Sequence, residues 1–133
     1  MGRKPAMEVI LDTHALIWWF EGAAGLSKRA SSIIASPGNL ILISAAVGWE
    51  LAIKVNLGKF NTPSLVRELH QVVEREGFAE LPISLEHAVR AGMLPMHHRD
   101  PFDRLLVAQA QALGVAILSA DRALDTYEAR RIW

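Results

Sequence analysis

The sequence predicts an α/β fold built around a mostly parallel sheet. Short apolar runs of strand length alternate with helical patterns along the whole chain, and this alternation is typical of βαβ units. Turn residues separate the runs: a Ser-Pro-Gly-Asn turn occupies residues 36–39, Gly58 and Gly114 follow predicted helices, and Pro63 and Pro101 begin them.

In the first half of the chain, the apolar run 9–11 is the first predicted strand. The run 13–20 is too apolar for an exposed loop and predicts a helix, and a second helical pattern covers 27–35. Residues 40–43 predict the second strand, and 45–57 form a nearly continuous apolar helix.

The second half repeats the alternation. It contains predicted helices at 63–76, 85–91 and 101–113, and predicted strands at 79–83 and 115–118, with a weak last strand candidate at 130–133. We find no internal repeat, low-complexity tract or linker.

Composition limits the class of protein. A chain of 133 residues with 51% hydrophobic content predicts a single domain over residues 1–133, with 1–6 as a flexible basic tail. Equal numbers of basic and acidic residues, 14 each, argue against a polybasic nucleic-acid binder. The absence of cysteine excludes disulfides and thiolate metal sites. Apolar stretches fall far short of the roughly 20 residues that span a bilayer, and no signal-peptide core is visible. We therefore expect a soluble cytoplasmic protein without membrane contact.

Four acidic residues stand out because each lies at the start of a predicted helix or on an apolar one. They are Asp12, Glu50, Asp103 and Asp121. Parallel strands place their carboxyl ends at one edge of a sheet, where α/β proteins have their sites. Carboxylates gathered there repel one another unless a cation neutralises them, and Mg²⁺ or Mn²⁺ favours such oxygen ligands. The pattern predicts a divalent-metal site.

Structural roles remain open for each acid. Asp12 and Asp121 are favoured N-cap residues, and Ser119 is an alternative cap near Asp121. Asp103 at the third helical position favours the helix dipole, although Asp100 already provides a cap. Glu50 is the hardest to explain structurally, because an exposed pair with Lys54 contributes only about 0.2–0.5 kcal/mol while burial of a charge costs more.

Several motifs follow one another along the chain: Leu-Asp-Thr-His at 11–14, Ser-Ala at 44–45, Trp-Glu at 49–50, Ile-Lys at 53–54, Gly-Lys at 58–59, His-Arg-Asp-Pro-Phe-Asp-Arg-Leu-Leu at 98–106, Ala-Gln-Ala at 108–110 and Leu-Ser-Ala-Asp at 118–121. Each is weak alone, but in this order they cover nearly the full chain. Together they resemble the PIN-domain ribonucleases, in particular VapC-type toxins of toxin–antitoxin pairs.

The resemblance implies a three-layer α/β/α sandwich and a metal-dependent endoribonuclease that leaves 5′-phosphate and 3′-hydroxyl ends. By position, the acidic site falls on Asp12, Glu50, Asp103 and Asp121, and Ser119 matches a hydroxyl near the metal. Asp12 and Asp103 are expected as direct ligands. Glu50 would be a ligand or hold the attacking water, and Asp121 would act at a second site or behind the direct ligands.

The resemblance also implies partners: an RNA substrate, a cognate antitoxin and a second copy of the chain in a homodimer. The cations nearest the acids, which could contact phosphate or simply pair with the acids, are Lys54, Arg99, Arg104 and Arg122. Trp18 and Trp19 are consecutive with Phe20, so a helix cannot bury all three. They are expected to bind the antitoxin unless they are ordinary surface aromatics.

Two other classes of function remain as alternatives. A non-catalytic RNA-binding or protein-interaction module of the same fold would use the acids only as helix caps and would show no stabilisation by metal. A phosphatase or receiver domain also clusters Asp at strand ends, but His14 stands where the second Asp of such a phosphatase would be needed.

Overall fold

The computed structural model describes residues 5–97 and 100–133, and within them five parallel strands form one sheet in the order β3-β2-β1-β4-β5. The strands are β1 Glu8–Leu11, β2 Leu40–Ser44, β3 Ala79–Leu81, β4 Ala116–Leu118 and β5 Arg131–Ile132. The predicted mostly parallel sheet is confirmed, including its weak last strand.

The described residues also contain seven α-helices and one 3₁₀ helix. They are α1 Thr13–Phe20, α2 Lys28–Ala35, α3 Ala45–Asn56, α4 Pro63–Arg67, α5 Leu69–Arg75, α6 Leu85–Met93, α7 Pro101–Leu113 and the 3₁₀ helix Arg122–Thr126. Asp12, Ser44 and Asp100 cap α1, α3 and α7 through their side chains. Each of these three helices therefore begins directly after a polar N-cap residue at the end of a strand or loop.

Strand order explains the layers. From β1 the chain moves outward through β2 to β3, then returns to β4 on the other side of β1 and continues to β5. Right-handed crossovers in opposite directions place their helices on opposite faces of a sheet. The result is the predicted α/β/α arrangement.

The core lies on both faces of the central strands. Residues of β1 after Glu8 are buried, as are all of β4 and most of β2, which is the continuous apolar pattern of a parallel sheet covered on both faces. In register, Ile10 of β1 lies between Leu42 of β2 and Ile117 of β4. This register brings the carboxyl ends of β1, β2 and β4 to the same edge of the sheet.

Three details differ from the predicted elements. The predicted helix 63–76 is divided at Glu68, whose φ of −103° and ψ of 10° leave the helical range, and no Gly or Pro marks this break. The third strand ends at Leu81 rather than at residue 83, because Pro82 has no N–H for the strand ladder. The 3₁₀ helix was not predicted.

The amino terminus is only partly described. Residues 1–4 of the predicted flexible tail 1–6 lie outside the described residues. Ala6, at its end, donates a backbone hydrogen bond to Gly38 O at 3.0 Å. In the ranges 5–97 and 100–133, every helix is too short or too polar to cross a membrane.

Candidate active site

The acids gather at the point in the sheet where the order of the strands along the chain reverses. Connections leave β1 and β4 toward opposite sides of the sheet, and α/β proteins bind ligands at the carboxyl end of such a switch point. Asp12 follows β1 directly, and its N–H donates to Leu118 O, the last residue of β4, at 3.2 Å. Ser119 and Asp121 follow β4. The two central strands thus deliver three polar side chains to one place.

Asp12 combines a structural role with an unfavourable charge. Its Oδ1 accepts a hydrogen bond from Ala15 N at 2.8 Å, so the residue caps α1, and it is only 8% exposed. Burial raises the pKa of the Asp12 carboxyl above its usual value, and the charge of Glu50 adds to the rise. Hydrogen bonds from Ser119 and Ala15, and the charge of His14, act in the opposite direction. Asp12 is therefore both the N-cap of α1 and the residue expected to bind the metal.

Glu50 lies on the inner side of α3 and is 4% exposed. Its carboxylate accepts short hydrogen bonds from the Thr13 hydroxyl and from the Lys54 ammonium, one turn later on the same helix. Burial lowers the pKa of Lys54, but the hydrogen bond and charge of Glu50, with Asp100 and Asp103, raise it overall. Glu50 is thus a buried carboxylate compensated by one cation, not a solvated surface pair.

Helix α7 supplies two further acids. Asp100 is its N-cap, and Asp100 Oδ1 accepts from Phe102 N at 2.9 Å and from Asp103 N at 3.3 Å. This agrees with the reading of Asp100 as the cap. Asp103 is half-buried in the first helical turn, where the helix dipole stabilises its negative charge.

Asp121 is the most exposed of the four predicted acids. Its Oδ1 accepts from Ala123 N at 2.9 Å, and its own N–H donates to Ser119 Oγ at 3.0 Å. Ser119 is fully buried. Because the Ser119 side chain also bonds Asp12, it links the acid after β1 to the acid after β4.

One pocket of about 180 Å³ brings all four predicted acids together. We call it the acidic pocket, and its lining residues are Asp12, Thr13, His14, Glu50, Lys54, Asp100, Asp103 and Asp121. Five of these eight side chains are carboxylates and one is a lysine, so the pocket carries an excess of negative charge. This charge balance favours a cation.

The donor chemistry fits a hard divalent ion. Carboxylate oxygens are the ligands that Mg²⁺ and Mn²⁺ prefer, and burial, which raises the pKa of Asp12, disfavours its charged form unless a cation lies nearby. Within the described residues, no three Asp, Glu, His or Cys side chains converge closely enough to enclose an ion unaided. Mg²⁺ commonly binds through one or two carboxylates and retains several waters, and the pocket has room for them.

The predicted basic residues have different roles in the structure. Lys54 lines the acidic pocket, and its Nζ lies 5.2 Å from the Phe60 ring centroid. Arg122 is exposed on the 3₁₀ helix. Arg99 lies outside the described residues.

Arg104 requires a correction. It is 8% exposed, and its guanidinium donates to the backbone carbonyls of Ala91 at 2.8 Å, Leu94 at 3.0 Å and Pro95 at 3.1 Å. These carbonyls belong to the last turn of α6 and to the segment that follows it, so Arg104 stabilises the loop before α7. This placement contradicts the prediction that Arg104 contacts RNA phosphate.

Trp18 and Trp19 are both half-buried, but they face different parts of the molecule. The Trp18 ring lies 5.7 Å from the ring of His14, which lines the acidic pocket, and 5.7 Å from the ring of Trp133. Trp19 lines another cavity with Phe78 and residues of the turn before β2. Trp18 is therefore the one connected to the site.

Two buried polar residues were given no role by the sequence analysis, Thr13 at the pocket and Gln109 in α7. The Thr13 hydroxyl holds Glu50. Gln109, fully buried in α7, accepts from Ser44 Oγ at 2.6 Å and donates to Pro82 O at 3.1 Å. A polar residue on the apolar face of a predicted helix was the available signal for Gln109.

Comparisons with known proteins agree with this geometry. The family model for the PIN domain matches residues 9–129. No curated protein matches the chain in sequence. Among solved structures, VapBC2 from Rickettsia felis bound to a DNA fragment from its promoter aligns with a TM-score of 0.70 and 16% identity, covering 95% of this chain and 98% of that one.

Two other solved structures show the same fold. VapBC-1 from nontypeable Haemophilus influenzae aligns with a TM-score of 0.65 and 17% identity, over 95% of this chain and 97% of that one. The sarcin-ricin loop cleaving toxin VapC20 from Mycobacterium tuberculosis aligns with a TM-score of 0.61 and 13% identity, over 92% and 98%. The architecture agrees with these structures, and the family match over residues 9–129 shows that the chain belongs to the PIN domain family.

Proposed function

We propose that this chain is a divalent-metal-dependent endoribonuclease and the toxin of a toxin–antitoxin pair. The observation that carries the proposal is the acidic pocket: carboxylates from four separate segments meet at the carboxyl ends of β1 and β4. Helix capping alone does not explain the inner, buried position of Glu50. Family membership and the structural likeness to VapC toxins support the same conclusion.

In this proposal Asp12 and Asp103 hold the ion, and Glu50 and Asp121 complete the site. The ion would lower the pKa of bound water and neutralise charge on the phosphoryl oxygens. Thr13 and Lys54 orient the Glu50 carboxylate through its two hydrogen bonds, which positions Glu50 to accept a proton from water. Ser119 orients the Asp12 carboxyl from the β4 side.

RNA would approach a pocket of like charge, so cations beside it must offset the repulsion. Lys54 at the pocket, Arg99 and the exposed Arg122 are the proposed phosphate contacts, while Arg104 is excluded by its bonds to α6. Loss of one phosphate contact is expected to lower the slope of log affinity against log salt by about 0.7–0.9.

The test is RNA cleavage by purified, partner-free protein. Because VapC20 is described as cleaving the sarcin-ricin loop, a hairpin of that loop and total RNA are suitable first substrates. Reactions contain Mg²⁺, Mn²⁺ or chelator, and an Asp12→Asn variant is purified identically. Metal-dependent cutting that is absent in the variant, with 5′-phosphate ends, supports the proposal. Equal cutting by both proteins would indicate contamination, and no cutting of any RNA would favour the binding-module alternative.

An antitoxin is the proposed protein partner, because the similar structures include VapBC2 and VapBC-1. We propose that it lies over α1 at Trp18 and Trp19 and brings a basic side chain into the acidic pocket. Co-expression with the neighbouring open reading frame tests this. Trp18→Ala is expected to weaken the complex more than Trp19→Ala, because only Trp18 is linked to the pocket through His14. Full binding by both variants would rule out this face.

A homodimer is also proposed, and α6 offers a suitable face. Leu85, Val89 and Met93 are largely exposed at spacings of four residues. A two-fold axis near Val89 would set Leu85 against Met93 of the second copy and Glu86 close to its Arg90, so apolar residues would meet apolar residues and opposite charges would meet. Light scattering should show a dimer that Val89→Arg converts to a monomer; an unchanged mass would exclude α6 as the interface.

A further inference from the structure

A large aromatic side chain stands exposed beside the acidic pocket. Trp49 directly precedes Glu50 on α3 and is 54% exposed. Its ring lies 5.0 Å from the ring of Phe102, at an interplanar angle of 76°. Phe102 is half-buried and directly precedes Asp103 on α7. We call Trp49 and Phe102 the aromatic shelf.

Packing does not account for the exposure of Trp49. The buried positions of α3 are Ala46, Val47, Glu50 and Leu51, and Trp49 lies outside this set. The T-shaped contact with Phe102 orients the indole, while more than half of its surface stays open to solvent. A rigid, oriented and exposed indole is suited to stacking on a flat ligand.

The shelf is joined to the site by Lys54. Its Nζ lies 5.9 Å from the centroid of the Phe102 ring and forms an ion pair with Glu50. Each shelf residue is also the chain neighbour of a pocket carboxylate. A ligand whose phosphate enters the acidic pocket would therefore have both a cation and an aromatic ring close to that phosphate.

Proteins commonly bind unpaired nucleotides with an aromatic ring next to a cation. The base stacks on the ring, and the cation contacts the phosphate backbone. Bases inside an RNA duplex are already stacked on each other, so only loops, bulges and single strands can offer a free base face. We propose, on the basis of the proposed nuclease function, that Trp49 supported by Phe102 stacks on an unpaired base adjoining the phosphate in the acidic pocket. The shelf thereby selects single-stranded or loop RNA over duplex.

The same exposed indole could instead bind a protein partner, and the two occupants differ in what they predict. A stacking residue affects RNA affinity in the absence of any partner and leaves its salt dependence unchanged, because no phosphate contact is lost. A partner contact leaves RNA affinity unchanged. The position of the shelf beside Lys54, a cation that lines the acidic pocket, favours RNA.

The experiment measures binding of fluorescently labelled RNA in chelator, so that no cleavage occurs. The probes are a hairpin with an unpaired loop and a blunt duplex of the same length. The proteins are wild type, Trp49→Ala, Trp49→Phe, Lys54→Ala and, as a matched control, Leu113→Ala at the exposed end of α7. Thermal unfolding confirms that each variant is folded.

Trp49→Ala is expected to weaken hairpin binding about 5- to 150-fold, the range for loss of one stacked base, with an unchanged salt slope. Trp49→Phe should recover most of the affinity, and Leu113→Ala should match wild type. Duplex binding should be the same in wild type and Trp49→Ala. Lys54→Ala should flatten the salt slope.

Equal hairpin affinity in wild type and Trp49→Ala would overturn the stacking role, and so would equal losses on hairpin and duplex. If wild type then still cuts RNA with metal, only the shelf inference fails and the nuclease proposal stands. If wild type neither binds nor cuts either RNA, both fail.

Discussion

Replacing Asp12 by Asn should separate the stability of the metal-free protein from its ability to bind an ion. Asn is as good an N-cap as Asp, so the bond from Ala15 N is retained. The ionised carboxylate, in contrast, is buried beside Glu50, and its pKa is raised. In chelator at neutral pH, Asp12→Asn is therefore expected to unfold at a higher temperature than wild type.

The pH dependence follows from the direction of the shift. The folded protein holds the Asp12 proton to higher pH than the unfolded chain, whose pKa is near 3.8. The stability contributed by Asp12 therefore falls as pH rises from 3.8 through the folded pKa. The advantage of Asn should be largest at neutral pH and disappear below about pH 3.8, where the carboxyl is protonated in both states.

Metal should reverse the order of stability. An ion at 100 times its dissociation constant adds about 2.7 kcal/mol to the protein that binds it. At roughly 2.1 cal/mol/K per residue, the unfolding entropy of a chain of 133 residues is about 0.28 kcal/mol/K. Wild type should therefore gain about 10 °C in Tm with saturating Mn²⁺ or Mg²⁺, while Asp12→Asn gains much less.

Differential scanning calorimetry over a metal titration measures both effects, with Glu74→Gln as a control because Glu74 is an exposed acid on α5. The control should respond to metal as wild type does. Equal metal shifts in wild type and Asp12→Asn would refute Asp12 as a ligand. A lower Tm for Asp12→Asn in chelator would refute the argument from burial.

Other substitutions test the packing around the site. Arg104→Ala should cost about 3 kcal/mol or more, lowering Tm by about 10 °C, because charge-assisted bonds from a buried guanidinium to several carbonyls are lost; a change below 2 °C in a thermal melt would contradict its structural role. Thr62→Val should stabilise by about 1 kcal/mol, because the buried Thr62 hydroxyl has no hydrogen-bond partner among the described residues. The matched Thr13→Val should destabilise by about 1–3 kcal/mol, because its hydroxyl donates to a buried carboxylate; urea unfolding that ranks the two variants the other way would disprove this account. Gly25→Ala should destabilise by about 1–3 kcal/mol and alter tryptophan fluorescence, because a Cβ there would lie 2.5 Å from the Trp18 ring; an unchanged spectrum and Tm would show that the contact is looser.

The predictions from sequence succeeded where local pattern determines structure. The apolar runs at 9–11 and 115–118 predicted β1 and β4 to within one residue, because a strand buried on both faces has to be continuously apolar. Pro101 and Gly114 marked the start and end of α7, since their backbone preferences act locally. The break at Glu68 left no such mark.

The candidate site could be predicted only as a set of acids. Their placement at strand ends follows from parallel topology, and the structure does bring Asp12, Glu50, Asp103 and Asp121 to one pocket. The role of each cation depends on distant contacts instead. Arg104 bonds to carbonyls 9 to 13 residues earlier in the chain, and no local pattern distinguishes it from a phosphate-binding arginine.

The acidic pocket uses residues that lie far apart in the sequence, from Asp12 after the first strand to Asp121 after the fourth. During synthesis, the acid after β1 is therefore made long before the acid after β4. A nascent chain that has not yet exposed residue 121 lacks part of the set of carboxylates. Assembly of the complete pocket must therefore wait until β4 and the segment after it have left the ribosome.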